Sequence, residues 1–101
     1  MYLALTFDDG PRASVTNRIL DSLGQYGGRA TFFMVGTNVP QNGEVIRRMV
    51  AQGCEVANHT NDHKYISKLG NEGIVSQVSA VNQKVAAACG VSPVVMRPPG
   101  G

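Results

Sequence analysis

Both histidines of this chain, His59 and His63, stand four residues apart in Asn58-His59-Thr60-Asn61-Asp62-His63. On a helical turn that spacing sets two imidazoles on one side, within reach of one ion. A carboxylate pair, Asp8-Asp9, follows the apolar run from Tyr2 to Phe7 and is closed by Gly10-Pro11. Two histidines and one aspartate form an open three-ligand set that leaves positions for water and substrate. Such a set takes zinc, and also iron, cobalt or nickel. Neighbouring side chains on an extended backbone point to opposite sides, so Asp8 and Asp9 are not expected to be equivalent ligands. One can bind the ion while the other acts as a base. Asp-Asp-Gly-Pro is also turn chemistry, although a plain turn needs no pair of carboxylates. Arg97 precedes Pro98-Pro99, which hold it extended. Its guanidinium is always charged and fits a carboxylate bidentately, so it can orient an aspartate and keep it ionised.

These residues need elements to position them, and the pattern supplies an alternating set. Tyr2–Phe7 reads as a buried strand. Val15, Ile19, Leu20, Leu23 and Tyr26 share one helical face, with Ser14 or Thr16 as cap and Gly27-Gly28 as stop. Ala30–Val35 favours strand, and residues 36–43 form a Gly/Asn/Pro-rich loop. Val45, Ile46, Met49 and Val50 mark a second helix that ends near Gly53. Glu55–Asn58 is a third strand. Asn71 can cap a third helix whose apolar face is Ile74, Val75, Val78, Val81 and Val85, closed by Gly90. Val94–Met96 reads as a fourth strand. Four strands alternating with three helices predict an α/β fold with a parallel sheet, in one domain over residues 1–101. In such sheets the strand C-termini share one face, and that face carries the site. Asp8-Asp9, the histidine segment and Arg97 all fall there, with three of the four aspartates of the chain. Cys54 and Cys89 fall at the other end and read as two small buried thiols rather than ligands or a disulfide framework.

Composition narrows the functional classes. The chain has 101 residues, 43% of them apolar and 16% charged, with net charge +2. That charge is too weak to argue for nucleic acid, and three Tyr, three Phe and no Trp leave few stacking platforms. No apolar run approaches the ~20 residues that span a bilayer. No basic-then-apolar leader is visible in front, so compartment cannot be read. An Asp pair after a first strand also occurs in phosphoacceptor receiver domains, but those need an aspartate at the end of the third strand, where this chain has Asn58 and His59.

Thr6-Phe7-Asp8-Asp9-Gly10-Pro11, His59-Thr60-Asn61-Asp62-His63 and Arg97-Pro98-Pro99-Gly100 stand in one order over the chain. They resemble the first three motifs of the polysaccharide deacetylases of carbohydrate esterase family 4. Ala30–Gly36 resembles that family's second strand. The resemblance implies Asp8 as general base, Asp9, His59 and His63 as ligands of a divalent metal such as zinc, and Arg97 as the support of Asp8. Thr60 would brace the histidine loop, and Pro99 and Gly100 would support the loop and the substrate. It implies a distorted (β/α) barrel of about seven strands. The substrates implied are N-acetylated glycans such as peptidoglycan or chitin oligomers, and the setting is the cell envelope.

Position 100 is Gly, where many members of that family carry Tyr. The family's later motifs, which include a histidine acting as general acid, find no counterpart in residues 1–101. Four strands do not close a barrel of about seven, and an open sheet edge is adhesive. A fragment of a longer chain, or a half-barrel that associates with another copy, is therefore expected. Two rivals follow: an inactive metal- or glycan-binding module, and a metal-free α/β domain.

Overall fold

The structure is a computed structural model that describes residues 5–63 and 69–99. The element order is β1 (Leu5–Asp8), α1 (Ala13–Gln25), β2 (Ala30–Met34), two short 3₁₀ turns (Gly36–Asn38 and Pro40–Asn42), α2 (Gly43–Ala51), β3 (Glu55–Asn58) and α3 (Asn71–Cys89). The strands form a parallel sheet in the order β1-β2-β3, the α/β arrangement that the alternating pattern predicts. The expected fourth strand is reduced to a single parallel bridge, Asn58 to Met96. Its two hydrogen bonds run from Asn58 N–H to Val95 O (3.0 Å) and from Arg97 N–H to Asn58 O (2.9 Å). Pro98 and Pro99 have no N–H with which to extend this ladder, and Val94 is 87% exposed.

The core lies between one face of the sheet and the helices. Phe32, Met34 and Val56 from the strands meet Leu20 and Leu23 of α1, Val45, Ile46 and Met49 of α2, and Val81 and Val85 of α3. Leu20, Met34, Ile46 and Met49 are fully buried, and each such side chain contributes roughly 1.5–3 kcal/mol of apolar burial. The β1–β2 register pairs Thr6 with Thr31, Phe7 with Phe32 and Asp8 with Phe33. Strand alternation therefore turns Phe7 and Phe32 to the helices and Thr6, Asp8 and Phe33 to the opposite face.

Several local expectations are corrected. β1 is not a buried strand: among the described residues it pairs on one side only, and Leu5, Thr6 and Asp8 are exposed. Residues 2–4 of that expected run lie outside the described residues. Val15 and Tyr26 belong to the periodic face of α1 yet are 48% and 83% exposed, as is Val75 of α3 at 64%. Periodicity defines a face without saying what covers it. Among the described residues no side chain caps α1 or α3. α3 begins at Asn71 with Gly70 before it, and the Thr16 hydroxyl instead accepts from Arg12 N–H at 3.1 Å. α1 stops where expected: Gly27 takes φ 66°, a left-handed conformation that glycine enters freely. Both cysteines are free, Cys54 buried and Cys89 half-buried. No helix among the described residues is long and apolar enough to cross a membrane.

Candidate metal centre and its neighbours

Asp9 ends the β1 turn at φ 73°, outside the strand. This left-handed residue, uncommon for a non-glycine, swings its carboxylate away from that of Asp8. The two aspartates thus diverge, as extended-strand reasoning anticipates, but the divergence comes from the turn. Asp8 meets Arg97, whose Nη1 donates to Asp8 Oδ1 at 2.8 Å and to Thr6 Oγ1 at 3.2 Å. The contact uses one guanidinium nitrogen, not the expected bidentate fork. The plane of Arg97 is occupied elsewhere: Cζ sits 4.2 Å from the centre of the Phe33 ring, and this cation–π contact fixes the approach to Asp8.

Asp9 meets the histidines. Its Oδ1 is 3.1 Å from His59 Nε2 and 2.9 Å from His63 Nε2, and the three ligand atoms lie within 4.8 Å of one another. The rings meet edge to face at 5.0 Å. The expected helical turn is absent. Residues 59–63 form a loop in which Thr60 (φ 67°) and His63 (φ 62°) are left-handed, and these two reversals bring the imidazoles to one side.

Hydrogen bonding orients His59. Its Nδ1 lies 2.6 Å from the main-chain carbonyl of Arg97. A carbonyl only accepts, so Nδ1 carries the hydrogen and Nε2 is the ring nitrogen left to face Asp9. Nε2 lies 3.1 Å from Asp9 Oδ1, and two such electron-rich atoms are held together by a cation or a proton between them. A carbonyl on the far nitrogen of a ligating histidine is the usual support of a metal site. The separations of Asp9 Oδ1 from the two Nε2 atoms are also short enough for one ion with ligands at about 2.0–2.2 Å. The residues present therefore fit a divalent metal.

The histidine loop is held on three sides. The Asn58 side chain, 1% exposed, donates to Val78 O (2.9 Å) and Asn82 Oδ1 (3.0 Å) and accepts from Thr60 N–H (2.9 Å). Gln77 Oε1 of α3 accepts from the N–H groups of Asn61 and Asp62 at 2.9 and 3.2 Å. Lys84 donates to Asn61 Oδ1 at 2.7 Å. Thr60 is fully buried, and among the described residues its hydroxyl has no hydrogen-bond partner. It braces the loop through its backbone, with its carbonyl accepting from Gly36 N–H at 3.1 Å.

The profile of the polysaccharide deacetylase family matches residues 1–101. The chain belongs to that family. PdaC of Bacillus subtilis, a peptidoglycan-N-acetylmuramic acid deacetylase, is 40% identical over 98% of this chain, which covers 21% of that protein. The structure of PdaC has a TM-score of 0.92 at 41% identity, covering 95% of this chain and 48% of that one. A chitooligosaccharide deacetylase of Sinorhizobium fredii is 45% identical over 84% of this chain and 40% of its own length. A family 4 acetyl xylan esterase from Clostridium thermocellum, in complex with a cobalt ion, has a TM-score of 0.92 at 37% identity, covering 95% of this chain and 47% of that one. The chain thus spans about half of these solved structures, and its three strands and helices form part of a (β/α) barrel.

Within this deacetylase fold the residues singled out by sequence gather at one end of the sheet: Asp9, His59 and His63 in one cluster, Asp8 and Arg97 in a pair. Pro99 is buried, and Gly100 lies outside the described residues. Cys54 precedes β3 and Cys89 ends α3, so neither is at this end. Sequence reasoning missed Asn38, Asn58, Gln77 and Lys84. Asn58 directly precedes His59, which was the available signal. Gln77 and Lys84 sit on the polar face of a helix and give none.

Proposed function

We propose that the protein carrying this chain is a metal-dependent hydrolase that removes N-acetyl groups from a glycan such as peptidoglycan or chitin oligomers. The observation that carries this reading is the convergence of Asp9, His59 and His63 next to a separate aspartate, Asp8, held by Arg97. Asp9 Oδ1 and the two Nε2 atoms would hold the ion, zinc first and cobalt, nickel or iron as alternatives. A divalent ion there supplies Lewis acidity, polarising an amide carbonyl and easing loss of a proton from water. Asp8 acts as general base. Arg97 occupies its Oδ1, leaving Oδ2 to take the proton as the water oxygen bonds to the acetamide carbon. His59, with Nδ1–H committed to Arg97 O, keeps its ligand nitrogen aimed at Asp9. The C–N bond then breaks, and the amine leaves with a proton from a group other than this histidine pair.

The likeness to an acetyl xylan esterase favours a second reading, in which the acetyl group is an ester on xylan and the same residues act. Acetate release by the full-length protein from N-acetylglucosamine oligomers, against release from acetylated xylan, separates the two. Preference for the oligomer supports the amide reading and preference for xylan the ester. Release from neither, with the ion bound, identifies an inactive metal-binding module.

A further inference from the structure

The two loops that carry the ligands are joined through a third. Residues 35–42 follow β2 and carry no group that reaches the cluster, yet they bond to both. Val35 N–H donates to Gly10 O (2.9 Å), Gly36 N–H to Thr60 O (3.1 Å) and Thr37 N–H to Asn61 O (2.8 Å). The amide of Asn38 donates to Asp9 O (2.9 Å) and that of Asn42 to Pro11 O (3.2 Å). Within one turn, Val35 and Asn38 therefore hold the Asp9 loop while Gly36 and Thr37 hold the histidine loop. The approach is close enough to demand glycine at position 36, where a Cβ would lie 2.3 Å from Asn61 Oδ1 and 3.0 Å from Val81 Cγ2.

Within this strap Asn38 holds the ligand residue itself. The Asp9 side chain is 67% exposed and, among the described residues, makes its polar contacts with the two histidines. The direction of its carboxylate is therefore set by its backbone, at an uncommon φ of 73°. Asn38 Nδ2 holds the carbonyl of that peptide unit. We propose that Asn38 is a positioning residue for the metal centre, holding the Asp9 backbone so that its carboxylate meets His59 and His63. This rests on the reading of Asp9 as a ligand.

The test is zinc affinity, by competition with a chromogenic chelator, on the full-length protein at a temperature where circular dichroism shows each variant folded. Asn38→Ala and Asn38→Asp are compared with wild type and with Asp9→Ala. The aspartate variant keeps the size of the side chain but cannot donate to Asp9 O. Both Asn38 variants are expected to bind zinc about 10–100-fold more weakly, the scale for loss of a group supporting a ligand, whereas a role in folding alone would lower the melting temperature and leave affinity unchanged. Affinities within twofold of wild type for both, with binding lost in Asp9→Ala, overturn the role of Asn38 and keep Asp9 as ligand. Wild-type affinity in Asp9→Ala overturns both.

Discussion

The main-chain carbonyl of Arg97 lies 2.6 Å from His59 Nδ1, while the guanidinium of the same residue lies 2.8 Å from Asp8 Oδ1. One residue therefore serves the two halves of the site through different atoms. The carbonyl orients His59, the proposed ligand, and the side chain holds Asp8, the proposed base. A substitution at position 97 can separate these roles, because it changes the side chain and keeps the carbonyl.

Arg97→Lys is accordingly expected to bind zinc within a few-fold of wild type and to lose most turnover. A lysine ammonium is a compact point charge that does not reproduce the planar stack on Phe33. With Asp8 no longer held, kcat is expected to fall by about 100-fold, at the lower end of the contribution of a general base. Zinc stoichiometry and kcat measured on the same sample check this.

Asp8→Asn keeps the shape of the side chain and removes the proton acceptor. Zinc should remain bound, because the Asp8 carboxylate turns to Arg97 rather than to the histidines. Turnover should fall by about 10²–10⁴-fold. A variant that turns over at the wild-type rate would remove Asp8 from the role of base.

The two histidines should differ in stability. The side chain of His59 is 4% exposed and that of His63 45%. His59→Ala empties a buried site and leaves the Arg97 carbonyl without its donor. It is expected to cost the metal-free protein about 2–4 kcal/mol. His63→Ala should stay within about 0.5 kcal/mol, as surface substitutions do, yet it too should lose zinc. Urea unfolding in the presence of a chelator, beside zinc binding, reads both effects.

Much of this site was legible because its chemistry is concentrated in few residues. Two histidines and an aspartate pair at strand ends already point to one ion, and Arg97 to one of the carboxylates. Their placement required only the alternating pattern that puts strand C-termini together. Other features left no such trace. The His59–His63 spacing reads as a helical turn, but left-handed residues at Thr60 and His63 produce the same convergence, and sequence rarely announces such residues outside glycine. Residues 36–43 read as a loop, yet Asn38 and Asn42 bond to backbone carbonyls whose positions depend on the tertiary fold. The fourth strand carried the right apolar residues, and the prolines at 98 and 99 stopped its ladder at one bridge. Leu5, Val15 and Tyr26 have core-like periodicity and are exposed, because an apolar stripe does not say which neighbour will cover it.

The most direct test of the metal-centred reading is to strip the full-length protein of metal and titrate zinc back, following bound zinc and acetate release from an N-acetylglucosamine oligomer together. The arrangement of Asp9, His59 and His63 predicts negligible release without metal and activity that rises in step with one tightly bound ion, in the wild type but not in Asp9→Ala. Undiminished acetate release from the stripped protein, or equal restoration by zinc in Asp9→Ala, would contradict it.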